Sequence, residues 1–216
     1  MSDSNRLKAF FNQKASYFDS YFIKGNKSLF RKVLDFLFRQ SIQKRLQLTI
    51  KECTSMPQAH ILDVGCGSGR SSMALAKATG NNVIGADFSA EMVKMANALA
   101  RRHHLEDRCH FILGDFAEIT FAEKFDVCVA LGFFDYIQNP ADYLNKMKAI
   151  TTKKIIASFS AKWRWRNMVR IIRLKILKCP VYFYTEDTIK SLLKNVAIEN
   201  YAIKNIGRDY LVIIDL

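Results

Sequence analysis

Long apolar runs, paired cysteines and proline are what this chain has least of. No apolar run approaches the roughly 20 residues a membrane-spanning helix needs. The opening MSDSNRLK lacks the apolar core of a secretory signal. Five cysteines, an odd number, are scattered with no C-x-x-C. Cys53, Cys66, Cys109, Cys128 and Cys179 are therefore expected as reduced thiols, neither staples nor zinc ligands, and no metal site is expected. Only three prolines interrupt 216 residues. A cytoplasmic protein is the expectation. Acid is also short: 20 acidic residues face 33 basic ones, for a net charge of +13.

The length suits one domain with a sizeable core. Half of the residues are apolar and a quarter charged, as in ordinary globular chains. The excess charge is uneven. Residues 1–50 hold ten basic and three acidic residues, residues 51–150 ten and twelve, and residues 151–216 thirteen and five. The middle is near neutral and the two flanks are basic. Such flanks favour an anionic partner, be it a small molecule, a nucleic acid or a membrane surface; a merely soluble basic surface is the alternative.

The most informative stretch is HILDVGCGSGR, residues 60–70. A short apolar run ends in three glycines at alternate positions, and SSMALAK then reads as a helix start. Strand, glycine turn and helix form the first unit of a doubly wound nucleotide-binding sheet. Glycine lets the turn reach positive φ and lets backbone approach a ligand. The spacing Gly65-x-Gly67-x-Gly69 is not the G-x-G-x-x-G of dinucleotide enzymes, which disfavours a nicotinamide dehydrogenase. Further along, NNVIGA reads as a second strand ending at Asp87, 18 residues after Gly69, near the spacing of a ribose-binding acid. Ser89 is the better cap for the helix that follows. Cys109 to Leu113 reads as a third strand ending in Gly114-Asp115-Phe116, and residues 124–130 as a fourth ending in Leu131-Gly132-Phe133-Phe134-Asp135-Tyr136.

DVGCGSG, GADFSAEM and GDF, in this order, resemble the motifs of the Rossmann-like (class I) S-adenosylmethionine-dependent methyltransferases over about residues 58–216. The resemblance implies an α/β fold: a doubly wound, seven-stranded, mostly parallel sheet with a C-terminal antiparallel hairpin and helices on both faces. It implies S-adenosylmethionine as cofactor. Asp87 would take the ribose hydroxyls; Asp115 would accept from the adenine amino group, with Phe116 offering its backbone N–H to the ring. Asp63, Gly65, Cys66, Gly67, Gly69, Phe88, Met92 and Leu131 join the expected cofactor site. Arg70 either pairs with the cofactor carboxylate or lies in solvent. Cys66 reads as a small filler rather than a nucleophile. Methyl transfer needs little more than nucleophile and methyl held near contact, with a base where a hydroxyl must lose its proton. Asp135 and Tyr136 are the candidates for that role; a helix cap is the alternative for Asp135.

The remaining segments bear on the acceptor. Residues 1–57 read as a helical arm or lid, with a helix over 29–52 and an aromatic-rich stretch in which Tyr17 or Tyr21 would close over the methionine tail. Residues 154–159 read as strand five. From about 160 to 180 a basic amphipathic cap is inserted: residues 162–179 contain seven basic residues and no acid. Trp163, Trp165 and Arg166 in it, with Phe133 and Phe134, are the candidate acceptor-binding residues. Residues 196–206 and 209–215 read as the closing strands. The order of strand five, basic roof and Cys-Pro turn is somewhat similar to the magnesium-protoporphyrin O-methyltransferases, which take a flat, anionic, membrane-associated substrate, although the residues do not match closely enough to name that substrate. The slot after strand four holds GFFDYI rather than Asn-Pro-Pro-Tyr or Asp-Pro-Pro-Tyr, which disfavours exocyclic amines of nucleic acids or proteins. The expectation is a methyltransferase on a small, anionic or amphiphilic, lipid-like acceptor, at oxygen rather than nitrogen, with peripheral membrane contact through the cap. An RNA methyltransferase, or a non-catalytic membrane-surface module of the same fold, is the alternative.

Overall fold

A computed structural model of the chain describes residues 10–12, 29–162 and 180–216, residues 29–39 by backbone alone. A long helix, α1 (Leu29–Thr54), leads into the first strand, β1 (His60–Val64). Then come α2 (Arg70–Thr79), β2 (Asn82–Asp87), α3 (Ala90–Arg102), β3 (Cys109–Leu113) and β4 (Phe125–Ala130). A single 3-10 turn, Phe134–Tyr136, precedes α4 (Pro140–Ile150) and β5 (Thr151–Ser160). The chain ends with α5 (Glu186–Asn195), β6 (Tyr201–Asn205) and β7 (Asp209–Asp215). The seven strands form one sheet in the order β3-β2-β1-β4-β5-β7-β6. All neighbours are parallel except β7, which runs antiparallel to both β5 and β6. The expected architecture is thus the observed one.

The strand sequences explain their place. β1 and β4 are apolar almost throughout because both faces of the sheet are covered. Leu62, Val64, Cys128 and Ala130 pack on one face with Leu144 and Met147 of α4 and Ile189 and Leu193 of α5. Ile61, Val83, Val127 and Val129 pack on the other with Met73, Leu75 and Ala76 of α2 and Ala100 of α3. Helix ends are marked locally. Gly80 stops α2 at φ 72°, its N–H returning to Ala76 O. Ser89 caps α3, its hydroxyl accepting from Met92 N. Pro140 opens α4, and Thr185 and Thr188 make a reciprocal cap on α5.

Two boundaries and the packing of α1 differ from the sequence reading. The penultimate strand spans Tyr201–Asn205, not 196–206. Val196 and Ile198 are apolar because the end of α5 turns into the core: Ile198 N donates to Leu193 O, and both side chains are buried. β5 starts at Thr151 rather than 154, since Lys153 and Lys154 project from the sheet's rim to Asp126, Glu52 and Asp215. In the first 57 residues, α1 does not stand off as a lid. Its Thr49 and Cys53 are fully buried, and Cys53 joins the core beside Ile61 and Met73.

The reversal between β1 and β4 opens the sheet at its carboxyl edge, and the glycine turn stands there. Gly69 precedes α2 at φ 73°, and a Cβ on it would come within 2.5 Å of Phe111 and 3.0 Å of Ala96. Gly69→Ala therefore combines a left-handed backbone with an overlap. It should lower unfolding free energy in urea by about 1–3 kcal/mol, whereas Gly207→Ala, where a Cβ meets nothing within 4 Å, should lose only the backbone part.

Candidate functional site

A cavity of about 360 Å³ opens beyond the carboxyl ends of β1 to β4. Gly65 of the glycine turn lines it. Gly65, Gly67 and Gly69 all have positive φ, between 54° and 73°. Gly65 N and Cys66 N both donate to Ala86 O at the tip of β2, at 2.8 and 3.2 Å. Gly67 N donates to Asp87 Oδ2 at 2.9 Å. A Cβ on Gly65 would lie 2.6 Å from the Phe133 ring, so only a bare backbone fits beneath that aromatic.

Asp87 is buried and lines the cavity. Oδ1 accepts from Ser89 N at 2.9 Å and Oδ2 from Gly67 N. Each carboxylate oxygen has a further lone pair beyond its backbone donor. Burial raises the Asp87 pKa, while the two backbone donors pull it back. Asp115 also lines the cavity, and its Oδ1 accepts from Ala117 N at 3.0 Å, which closes the turn after β3. Next to it, Phe116 is stacked on Tyr143 with an interplanar angle of 24° and meets Phe133 edge-on. Three carboxylates line the cavity, Asp87, Asp115 and Asp142, and no Lys or Arg does so among the described residues. The lining therefore favours a cationic guest.

Several expected site residues lie elsewhere. Asp63 is buried beneath the turn, where Oδ2 accepts from Ser72 Oγ at 2.6 Å; it braces β1 against α2 and does not reach the cavity. Cys66 and Met92 are buried behind the turn and Leu131 packs against the core. Burial raises the Cys66 thiol well above its ordinary value, as befits a filler. Gly67, Gly69 and Arg70 frame the turn without lining the cavity. Phe134 is fully buried, stacked on Phe159 at 4.8 Å, and so is core rather than an acceptor contact. Asp135 is 2% exposed, and its Oδ1 accepts from Ser160 N at 3.0 Å. Its own carbonyl accepts from Tyr182 N. That carboxylate holds the loop after β4 to the end of β5 and is not among the residues that line the cavity. Gly65, Asp87, Phe88, Asp115, Phe116, Phe133 and Tyr136 do converge on the cavity. Tyr17, Tyr21, Trp163, Trp165 and Arg166 fall outside the described residues.

Two further residues come from the tertiary structure. Tyr143, in the first turn of α4, carries its ring into the lining between Phe116 and Phe133. Arg45 of α1 reaches behind the loop after β4. Its Nη2 would lie 3.0 Å from a Cβ on Gly132, its Nη1 is 3.8 Å from Asp209 Oδ2, and its buried Nε makes no hydrogen bond. In the sequence Arg45 is one of six basic residues along a helix, with no signal to single it out. An aromatic one turn after Asn139-Pro140 was the only hint of Tyr143.

Comparison with known proteins agrees with this geometry. A family model described as a methyltransferase domain matches residues 56–197. A sterol 24-C-methyltransferase of Debaryomyces hansenii is 26% identical over 132 residues, covering 61% of this chain and 35% of that protein. A ubiquinone biosynthesis O-methyltransferase of Actinobacillus pleuropneumoniae is 34% identical over 104 residues, 46% of this chain and 44% of that protein. In each, the matched part is less than half of the relative's length. The crystal structure of magnesium protoporphyrin IX methyltransferase from Synechocystis with bound SAH superposes with a TM-score of 0.79 at 17% identity, covering 98% of this chain and 99% of that one. At that identity the likeness is one of fold.

The bracing carboxyl of Asp63 makes a testable demand. Burial pushes its pKa up to about 7; the Asp87 charge adds to the rise, and the Ser72 hydroxyl and Arg45 oppose it. The folded protein thus holds a proton that the unfolded chain releases near pH 4. Stability from this group is present below pH 4 and is lost as pH rises through about 7. Urea unfolding should show a decline in stability from pH 5 to pH 7.5, and Asp63→Asn should make that decline shallower.

Proposed function

The chain belongs to the methyltransferase-domain family, and from that premise we propose that it is an S-adenosylmethionine-dependent methyltransferase acting on a small, anionic or amphiphilic acceptor, at oxygen. One observation carries the cofactor reading: Gly65 of the glycine turn, Asp87 and Asp115 line a single cavity at the switch point of the sheet. The residues present suit the cofactor. Asp87, with a lone pair left on each oxygen, would take the two ribose hydroxyls. Asp115 would accept from the adenine amino group beside the flat faces of Phe116 and Tyr143. The carboxylate-lined wall suits a sulfonium.

Bound there, the cofactor supplies an electrophilic methyl on a cationic sulfur. The chain's own work is to position and to exclude water. Gly65 admits the ligand close to backbone. Phe133 and Phe116 make the wall apolar. Tyr136 lines the cavity, whereas Asp135 does not, so the phenol is the group left to hold an acceptor hydroxyl for reaction. Holding the partners near contact supplies much of the rate.

The acceptor reading rests on what borders the cavity. Tyr136, Ile137, Pro180 and Tyr182 offer flat and apolar surface. Pro180 lines the cavity, and Lys162 N–H donates to Tyr184 O. The sequence between 162 and 180 carries Trp163, Trp165, Arg166 and five further basic residues. An aromatic and basic stretch at this point of the sequence favours an amphiphilic, anionic acceptor presented by a membrane surface to a cytoplasmic enzyme. The sterol and ubiquinone relatives support a lipid-like acceptor. The charge of +13 keeps an RNA acceptor as the second reading; its binding would weaken steeply with salt.

Calorimetry with S-adenosylhomocysteine tests the cofactor site. Wild type should bind it, and Asp87→Asn should weaken binding at least ~10-fold, about 1.4 kcal/mol, with the unfolding midpoint measured alongside as a control for folding. Absence of binding to the wild type, or heat with NAD instead, would overturn the reading. Turnover on phenolic and carboxylic lipids, with and without anionic vesicles, then tests the acceptor class.

A further inference from the structure

The short segment 10–12, far in sequence from the sheet, lies against the rim of the cavity. The Phe11 ring meets two others edge-on: Phe88 at 5.8 Å and 86°, and Tyr136 at 5.1 Å and 88°. Phe10 packs edge-on against Phe11 at 5.5 Å. Asn12 Oδ1 accepts from Ser89 Oγ at 2.7 Å. Phe88 and Ser89 are the two residues directly after Asp87, and Ser89 N donates to Asp87 Oδ1 at 2.9 Å. One continuous set of contacts therefore runs from the Asp87 carboxylate through Phe88 and Ser89 to the amino-terminal segment, and from Phe11 across to Tyr136.

We propose that Phe11 and Asn12 are positioning residues that couple the two halves of the site, so that cofactor held at Asp87 sets Tyr136 for the acceptor. The inference rests on the cofactor reading above. Its logic is geometric. Tyr136 sits on a single 3-10 turn whose last backbone bonds are 3.1 Å, Tyr136 N to Phe133 O, and 3.4 Å, Ile137 N to Phe134 O. A turn so short has little hold on its own last ring. Phe11 supplies a second hold from outside the loop. Edge-to-face contact needs an aromatic, since the ring's positive edge meets a negative face. The hydroxyl of Ser89 is shared: it accepts from Met92 N and donates to Asn12, so a carboxylate that fixes Ser89 also fixes Asn12. Ligand at Asp87 then favours the docked segment, and the docked segment favours ligand at Asp87 by the same factor. The consequence is a coupling of the cofactor and acceptor halves carried by a few side chains.

Hydrogen exchange with S-adenosylhomocysteine as the probe tests this in the full chain. In wild type the ligand should slow exchange at the amides of 10–12, Tyr136 and Ile137 as well as at Gly67 and Ser89. In Phe11→Leu, which keeps an apolar side chain and loses the ring, protection at Gly67 and Ser89 should persist, protection at Tyr136 and Ile137 should fall several-fold, and affinity should drop between about 5- and 150-fold. Asn12→Ala should act in the same direction, and Phe11→Tyr should restore wild-type behaviour. Equal protection of Tyr136 in wild type and Phe11→Leu would overturn the coupling while leaving the cofactor reading intact. No ligand binding to wild type would overturn both.

Discussion

The hydrogen bond from Gly67 N to Asp87 Oδ2 is the constraint on which the rest of the site depends. It joins the turn after β1 to the tip of β2, beside the two bonds that Gly65 and Cys66 make to Ala86 O. A carboxylate buried in this way needs donors to offset its lost hydration, and only a turn with positive φ points its N–H groups at it. The glycines and the acid are therefore one device. The glycines expose backbone donors, the acid organises them, and its remaining lone pairs face the cavity. Nearby, Asp63 is pinned by Ser72 from the other side, so the turn is held between two buried carboxyls.

A second buried polar cluster supports the opposite wall. Asp209 opens β7 opposite Ser160, the last residue of β5. It accepts from the hydroxyls of Ser41 on α1 and Ser160, with Arg45 close by. The Ser160 backbone N–H donates to Asp135. The loop after β4 is thus anchored to β5, and β5 through Asp209 to the amino-terminal helix. Buried carboxylates here are matched by donors, as a low-dielectric surrounding requires. This explains why an acid directly after a pair of phenylalanines in the loop sequence holds structure, while its neighbour Tyr136 lines the cavity.

The candidate cofactor site was largely readable from local signals because each part is local. Gly65-x-Gly67-x-Gly69, Asp87 and Asp115 sit at strand ends, and strand ends follow from short apolar runs bounded by turn residues. Lining residues such as Phe133 and Tyr136 followed from their place after β4. The misplaced ones have a common cause. Asp63, Phe134, Asp135 and Leu131 lie within a residue or two of lining groups, yet each side chain is taken up by the core or by a buried hydrogen bond. Proximity in sequence put them near the cavity; those contacts keep them out of its lining.

By itself, the order of apolar runs, glycines and acids determined the doubly wound sheet, its switch point and the class of ligand that fits there, since backbone conformation and strand-end geometry are set by near neighbours. Only the tertiary structure decided that Tyr143, Phe11 and Asn12 stand at or beside that cavity and that Arg45 backs the loop after β4. Those side chains arrive from helices and a terminal segment whose docking depends on shape and buried contacts across the whole molecule, and no local pattern records which face of a helix meets which loop.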